Sequence, residues 1–267
     1  MDQSNPYDEL LYTGYPFPQT HPDRLATLAL LFGMRPSAVE SCRVLELGCG
    51  DGANLIPIAF GLPASRCVGI DLSSRATAKA RAMAEALALR NVDVHCMSLL
   101  DISSDFGQFD YIIAHGLYSW VEPVVQDKIL SICNTHLAPH GVAYVSYNTL
   151  PGGYLRQMIR EMMLFHLRGR ADPVERVGQA RGLIKFLAES LPKSDEYAVF
   201  LEKELERTSA REDCAIFHDE LAEINNPVYF REFIERAAHH GLQYLTEAHL
   251  LDSQINLFHP DAAAALE

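Results

Sequence analysis

Apolar residues along this chain follow two rhythms. Stretches of strand length and strand-like composition occur at Arg43 to Leu47, Cys67 to Ile70, Val92 to Met97, Phe109 to Ala114 and Gly141 to Tyr147. Helix-compatible stretches lie between them. Pro22 opens a helix that should bury Leu25, Leu28, Ala29 and Phe32 and stop at Gly33. A second runs from Ala53 to Gly61, and Ser73 or Ser74 caps an alanine-rich third that ends near Arg90. A fourth spans about Pro123 to Leu137. Alternation of this kind predicts a parallel sheet with right-handed crossovers. From Pro151 the rhythm is helical: Leu155, Met158, Ile159 and Met162 form one stripe, and Val174, Val177, Ile184, Leu187 and Leu191 another. A third amphipathic stretch runs from about Asp195 to Arg211. Asn225-Asn226-Pro227 turns the chain into a helix, Tyr229 to His239, and Leu242 to Glu247 with Gln254 to Phe258 would supply a last pair of strands. The expectation is an α/β fold with a mostly parallel, seven-stranded sheet and a helical insertion, 151–226, between the fifth strand and the final pair.

Candidate chemistry begins where the first strand ends, in Val44-Leu45-Glu46-Leu47-Gly48-Cys49-Gly50-Asp51-Gly52. Glycines let a chain turn sharply at a strand end and bring its amides close to a ligand. The second strand ends in Asp71, whose carboxylate can accept hydrogen bonds from both hydroxyls of a ribose. Together these residues describe a site for an adenosine-containing cofactor. Gly48-x-Gly50-x-x-Ala53 also fits the loose dinucleotide fingerprint, and a nicotinamide oxidoreductase is the reading it would support. Glu46 stands where such a strand carries an apolar side chain, and Gly52 adds a third alternate glycine. Both point away from a dinucleotide.

The pattern Glu-x-Gly-x-Gly-x-Gly resembles motif I of the Rossmann-like (class I) S-adenosylmethionine-dependent methyltransferases. The resemblance implies a doubly wound fold and S-adenosylmethionine as cofactor, with S-adenosylhomocysteine as product. It assigns Glu46 to the amino-acid end of the cofactor and the turn Gly48, Cys49, Gly50 and Gly52 to its methionine portion. Asp71 falls at the ribose, and Asn54 and Leu72 join the set of cofactor-binding residues. After the third strand the family carries an acid and a small residue that meet the adenine; here Ser98 and Leu99 occupy those places, and Asp101 follows three residues later. The segment after the fourth strand, Ala114-His115-Gly116-Leu117-Tyr118-Ser119-Trp120-Val121, lacks the Asn-Pro-Pro-Tyr of many amino-group nucleic-acid methyltransferases. His115 reads as a cofactor contact. Aromatic faces attract cations, so Tyr118 and Trp120 suit a sulfonium or an alkylammonium, although Trp120 reads first as packing beneath the next helix. At the end of the fifth strand Tyr147 and Asn148 are candidates for holding the nucleophile, with a lid hinge as the equal alternative. Tyr118, Tyr147 and Asn148 thus form the catalytic set, without a committed general base.

A narrower resemblance covers most of the chain: to methyltransferases with an attached methyltransferase regulatory domain, among them bacterial protein-lysine methyltransferases. It is carried by Tyr7-Asp8-Glu9, by Pro16-Phe17-Pro18-Gln19-Thr20-His21-Pro22, by Glu46-Leu47-Gly48-Cys49, by His115-Gly116-Leu117-Tyr118-Ser119-Trp120 and by Ser146-Tyr147-Asn148-Thr149-Leu150-Pro151-Gly152. Asn226-Pro227-Val228-Tyr229-Phe230 and His240-Gly241-Leu242-Gln243-Tyr244-Leu245 look like the regulatory region. It implies that residues 1–21 form a strap over the cofactor, with Gln19, Thr20 and His21 as binding residues. Residues 22–150 with 227–258 would form the cofactor-binding domain, and 151–226 a lid, regulatory or dimerisation element.

Composition narrows the partners. The 267 residues are 48% hydrophobic and 21% charged, enough for a full core and against wholesale disorder. A net charge of −13 argues against a broad nucleic-acid footprint and favours a basic peptide or an amine as acceptor. Six scattered cysteines without a CxxC pair read as reduced thiols of a cytoplasmic protein. The eleven histidines lack metal spacing, because Pro139 and Gly141 break any helix joining His136 and His140. No apolar run reaches membrane-spanning length, and the N-terminus carries no targeting pattern. The alanine-rich 261–267 reads as frayed, with a closing Leu-Glu that resembles a cloning remnant, so the natural chain is expected to continue. The functional expectation is methyl transfer to a nucleophile such as a protein lysine. The alternatives are a small-molecule amine or hydroxyl as acceptor, a homodimer built through the insertion, and a non-catalytic cofactor sensor.

Overall fold

A computed structural model describes residue 10 and residues 12–192, 194–253 and 257–266. Tyr7-Asp8-Glu9, and most of the strand expected over Gln254 to Phe258, lie outside them. In chain order the elements are α1 (Pro22–Leu31), β1 (Arg43–Leu47), α2 (Leu55–Gly61), β2 (Arg66–Asp71), α3 (Ser74–Ala86), β3 (Val92–Cys96), β4 (Phe109–Ala114), α4 (Pro123–His136) and β5 (Leu137–Val145). There follow β6 (Thr149–Leu150), α5 (Tyr154–His166), α6 (Pro173–Ser190), α7 (Glu196–Ser209), β7 (Val228–Tyr229), α8 (Phe230–His239) and α9 (Pro260–Leu266). The chain divides into two compact units. One comprises Gly14–Tyr147 with the described residues from Phe230 on, the other Asn148–Tyr229 with the described residues up to Thr13.

The first unit is built on a parallel sheet of order β3-β2-β1-β4-β5. Its central strands are apolar on both sides, as a sheet covered on two faces requires. Val44, Cys67, Tyr111, Ile113 and Val142 form one face, under α1 and α2, and Leu25, Ala29, Leu55, Ile58 and Ala59 close over them. Ala80 of α3 joins the same side through Ile56 and Val94, while α4 packs on β4 and β5. All five strands point the same way, so Leu47, Asp71, Cys96, Ala114 and Val145 end on one edge of the sheet.

The expected seven-stranded sheet is not formed among the described residues; the main sheet has five strands, and β6 and β7 pair separately. The stretch from Leu242 to Glu247 is irregular. Leu245 anchors it to the core by its side chain, and the Ala248 carbonyl accepts from Arg24 Nε at 3.2 Å. Smaller differences have local causes. Phe32, expected in the core, is exposed because it caps α1 just where Gly33 takes a φ of +80°. α2 begins at Leu55, two residues later than expected, and Asn54 before it gives its side chain to Glu46 without capping the helix. α3 stops at Ala86, where Ala88 adopts a positive φ. β5 starts early, at Leu137 opposite Phe109, and its register shifts before Val142.

The second unit is helical. Ile159, Met163, Val177, Ile184, Leu201 and Ile216 of α5, α6, α7 and the following turn make its core. Leu155 and Val174, expected in the apolar stripes, lie exposed in the first turns of their helices. β6 and β7 pair in parallel at its two ends, Thr149 with Val228 and Leu150 with Tyr229. A π-helical turn, Ile216–Glu220, delivers Glu220 into a buried ionic knot. Arg156, Arg207 and Arg211 reach its Oε1 at 2.6, 2.8 and 2.7 Å. Burial alone would push this carboxyl up, but the bonds and charges of Arg156 and Arg207 outweigh it and hold the group down at about 2. No helix among the described residues is long and apolar enough to cross a membrane.

Candidate functional site

The turn between β1 and α2 is shaped by Gly48, Gly50 and Gly52, whose φ angles of +71°, +52° and +78° side-chain-bearing residues rarely adopt. The Gly48 and Cys49 amides both donate to the Ile70 carbonyl, at 2.8 and 3.0 Å, which binds the turn to the end of β2. A further glycine, absent from the expected set, makes this possible. Gly69 lies opposite Glu46 in the sheet, and a Cβ there would sit 2.7 Å from Cys49 Sγ and 2.8 Å from Leu55 Cδ2. Gly69→Ala is expected to cost about 1–3 kcal/mol of stability through overpacking, read as a lowered thermal midpoint.

Two carboxylates flank the turn. Asp71 accepts from the Gly50 amide through Oδ2 and from the Ser73 amide through Oδ1, both at 2.8 Å. Glu46 is almost fully buried; its Oε1 accepts from Asn54 Nδ2 at 2.7 Å, whereas its buried Oε2 has no hydrogen-bond partner. Burial is the main cause that lifts the Glu46 carboxyl to about 8, with the charge of Asp71 adding to it and the Asn54 bond opposing it. Asn54 in turn joins Thr20, whose hydroxyl oxygen accepts from Asn54 Nδ2 at 3.0 Å, and the Phe17 amide donates to Asn54 Oδ1 at 2.9 Å. Phe17 and Thr20 are thereby tied to Glu46 through one amide.

The other expected residues fall into separate groups. Gln19 forms a side-chain hydrogen bond with Tyr144 of β5. His21 caps α1, its Nδ1 accepting from the Asp23 amide. Phe17 lies against the His115 ring, centroids 4.0 Å apart. Ser146 Oγ accepts from the Gly116 amide at 2.9 Å and lies within hydrogen-bond distance, 3.0 Å, of His115 Nδ1. Burial lowers the His115 pKa and favours the neutral imidazole. Leu117 packs over Gly48. Leu72, beside Asp71, is exposed, Leu99 is buried, and Ser98 Oγ accepts from the Leu100 amide at 3.2 Å.

Tyr118 and Tyr147 meet, with ring centroids 6.2 Å apart, and both pack on Phe233 of α8, which sequence reasoning missed. Tyr147 stacks on Phe233 at 4.2 Å. The Tyr118 ring is wholly enclosed and its hydroxyl is buried without a partner. Trp120 is half-buried one turn later. Asn148 belongs to the helical unit, where its Nδ2 donates to Asn225 Oδ1 at 3.0 Å.

Comparison with known proteins gives this geometry a family. Residues 44–141 match the family described as "Methyltransferase domain", and residues 212–267 match the "Predicted methyltransferase regulatory domain". Two relatives are the uncharacterised proteins RP789 and RP028 of Rickettsia prowazekii. RP789 is 44% identical over 92% of this chain and 45% of its own length; RP028 is 40% identical over 86% of this chain and 93% of its own length. The structure of PKMT2 from Rickettsia typhi in complex with AdoHcy superposes with a TM-score of 0.85, at 39% identity, covering 96% of this chain and 49% of that one. The chain belongs to the class I S-adenosylmethionine-dependent methyltransferases that carry a methyltransferase regulatory domain. It spans about half the length of two of the relatives named, RP789 and PKMT2.

The cofactor of this family is S-adenosylmethionine, which leaves as S-adenosylhomocysteine, and the residues around the turn fit it. An unpaired, buried carboxylate oxygen on Glu46 suits an ammonium. Space beyond Gly50, where a Cβ would meet nothing within 4 Å, lets a ligand approach the backbone.

Proposed function

We propose that this chain transfers a methyl group from S-adenosylmethionine to an amine, with a protein lysine as acceptor. The observation that carries the reading is the pair of carboxylates across the glycine turn, one of them buried with an oxygen that nothing in the chain satisfies. Glu46 holds the amino-acid end, Gly48, Cys49, Gly50 and Gly52 border the methionine portion, and Asp71 accepts from the ribose hydroxyls. An ionised carboxylate offers about four acceptor positions, so two backbone bonds are compatible with that role. Leu72 offers an apolar face to the adenine, and Ser98 and Leu99 lie at its edge. Thr20 and Asn54 act by fixing Glu46, and Gln19, His21 and His115 complete the cofactor's surroundings.

The sulfonium supplies the methyl: the acceptor's lone pair forms the new bond to carbon, and the electrons of the broken carbon–sulfur bond return to sulfur. The protein's contribution is to align the two reactants and to exclude water. A lysine must first lose a proton, since its free pKa is about 10.4, and partial desolvation beside Tyr147 favours that loss. The proton passes to solvent. Tyr147 stays neutral, because burial first, and then the charges of Glu247 and Tyr118, push its phenol up to about 12. Tyr118 and Asn148 assist by holding the aromatic cluster and the start of the helical segment. That segment, 151–226, is assigned a role in admitting the acceptor or in pairing two copies.

Mass spectrometry of lysine peptides incubated with the protein and isotopically labelled methyl donor tests the reading. A labelled amine is expected; labelled hydroxyl products alone, or tight cofactor binding without turnover, would overturn it. Proton release offers a second check. The Glu46 carboxyl, at about 8 when unliganded, holds its proton at neutral pH and must give it up to pair with the cofactor's ammonium. Binding at about pH 6.5 is therefore expected to release close to one proton, and affinity to rise with pH up to about 8. Calorimetry in buffers of different ionisation enthalpy measures this directly; no release would mean that Glu46 remains protonated in the complex.

A further inference from the structure

Glu247 lies in the irregular stretch that follows α8, within the match to the regulatory domain. Its Oε1 accepts from the Tyr244 hydroxyl at 2.9 Å. Its charge also acts on Tyr144 and Tyr147, the two tyrosines at the end of β5. Tyr147 is stacked on Phe233, and Tyr244, which holds the carboxylate, makes an edge contact with Phe230 at 5.3 Å, so the rings that Glu247 bonds or acts on are themselves held by other rings. Tyr244 is 44% exposed and Tyr147 and Phe233 are half-buried, which leaves aromatic surface beside the carboxylate accessible. Among the described residues no lysine or arginine forms an ion pair with Glu247, and the nearby Arg24 spends its Nε on the Ala248 carbonyl.

Aromatic faces attract a cation, and a carboxylate adds a point charge of the right sign. Every titratable ring in the group is neutral near pH 7: burial first, and then Glu247, push the phenols of Tyr147 and Tyr244 well up, and burial first keeps Tyr144 protonated. The group therefore carries one negative charge and no positive one. Its charge also reaches Tyr147, the residue assigned to the acceptor. We propose that Glu247, with the rings of Tyr147, Tyr244 and Phe233, forms a subsite for the alkylammonium head of a cationic amine acceptor. The subsite binds and orients the charged amine before its proton is lost; Glu247 is a recruiting group and not the base. The proposal deepens the methyltransferase reading and rests on it for the identity of the acceptor. It gives an amine, in preference to a hydroxyl compound, a physical reason to be chosen.

The test is a direct titration that needs no turnover. The whole chain, saturated with S-adenosylhomocysteine, is titrated with n-butylammonium chloride and, separately, with n-butanol, and binding is followed by NMR shifts of the aromatic signals. The ammonium is expected to bind more tightly than the alcohol. Glu247→Gln should weaken the ammonium by about tenfold and leave the alcohol unchanged, and Tyr244→Leu should weaken the ammonium by about threefold. Both positions are exposed, and unchanged thermal midpoints would show that the variants are folded. Equal affinity for ammonium and alcohol in the unsubstituted protein, or an ammonium affinity that survives Glu247→Gln, would overturn the proposal. Failure of S-adenosylhomocysteine to bind would instead count against the methyltransferase reading, because ammonium binding can be measured without it.

Discussion

Asp71→Ala is expected to weaken S-adenosylhomocysteine binding by about 1–3 kcal/mol, roughly tenfold to a hundredfold. Two effects contribute. The carboxylate is the proposed partner of the ribose hydroxyls, and hydrogen bonds to a charged group are stronger than neutral ones. It also fixes the Gly50 amide at 2.8 Å, so its loss releases the turn proposed to border the cofactor. A cycle separates the two. If the carboxylate holds the ribose, removing the 2′-hydroxyl from S-adenosylhomocysteine should cost affinity in the unsubstituted protein and almost nothing in Asp71→Ala. Calorimetry on the four combinations measures the coupling; equal losses in both proteins would assign Asp71 to the turn alone, and unchanged affinity in Asp71→Ala would exclude the ribose role.

The largest expected effect on stability lies in the helical unit. Glu220→Ala removes the one carboxylate shared by Arg156, Arg207 and Arg211; Arg207 keeps Glu204 and Arg211 keeps Asp219, and Arg156 loses its ion pair. Breaking a buried ion pair from one side costs about 3–5 kcal/mol, and the lower end applies here because the arginines are partly exposed and can turn toward water. The same knot makes the unit acid-sensitive. The Glu220 carboxyl is held below its unfolded value, so its contribution is complete above about pH 4.5 and is lost as pH falls through about 2. The span from 4.5 to about 2 corresponds to about 3 kcal/mol. Urea unfolding at neutral pH should show a lowered midpoint for Glu220→Ala. Repeated at about pH 3, the gap between the two proteins should narrow; a constant gap would show that the carboxylate acts through packing.

Much of the cofactor domain was legible in the residues themselves. β1 and β4 run over the residues their apolar content predicts, Arg43–Leu47 and Phe109–Ala114, because strands covered on both faces are written as continuous apolar runs. Ser73 caps α3 as expected, and Glu46, the glycine turn and Asp71 come together because all three sit at adjacent strand ends. What stayed hidden depends on partners far away in sequence. Nothing near Asn54 announces that its amide will join Glu46 to Thr20, and nothing near Phe233 announces Tyr147. Gly69 carried a usable signal, since a glycine inside an apolar strand often marks close approach of another backbone. The strand expected over Leu242 to Glu247 failed for a different reason. Apolar residues at Leu242 and Leu245 fit either a ladder or a side-chain anchor, and local pattern cannot choose between them.

The parallel pairing of β6 with β7 places the first and last residues of the helical segment side by side. Chain inserted or deleted anywhere between them leaves the separation of those ends unchanged, and extending a closed loop costs only slowly growing entropy. The segment can therefore change in length without moving the strands that lead into it and out of it.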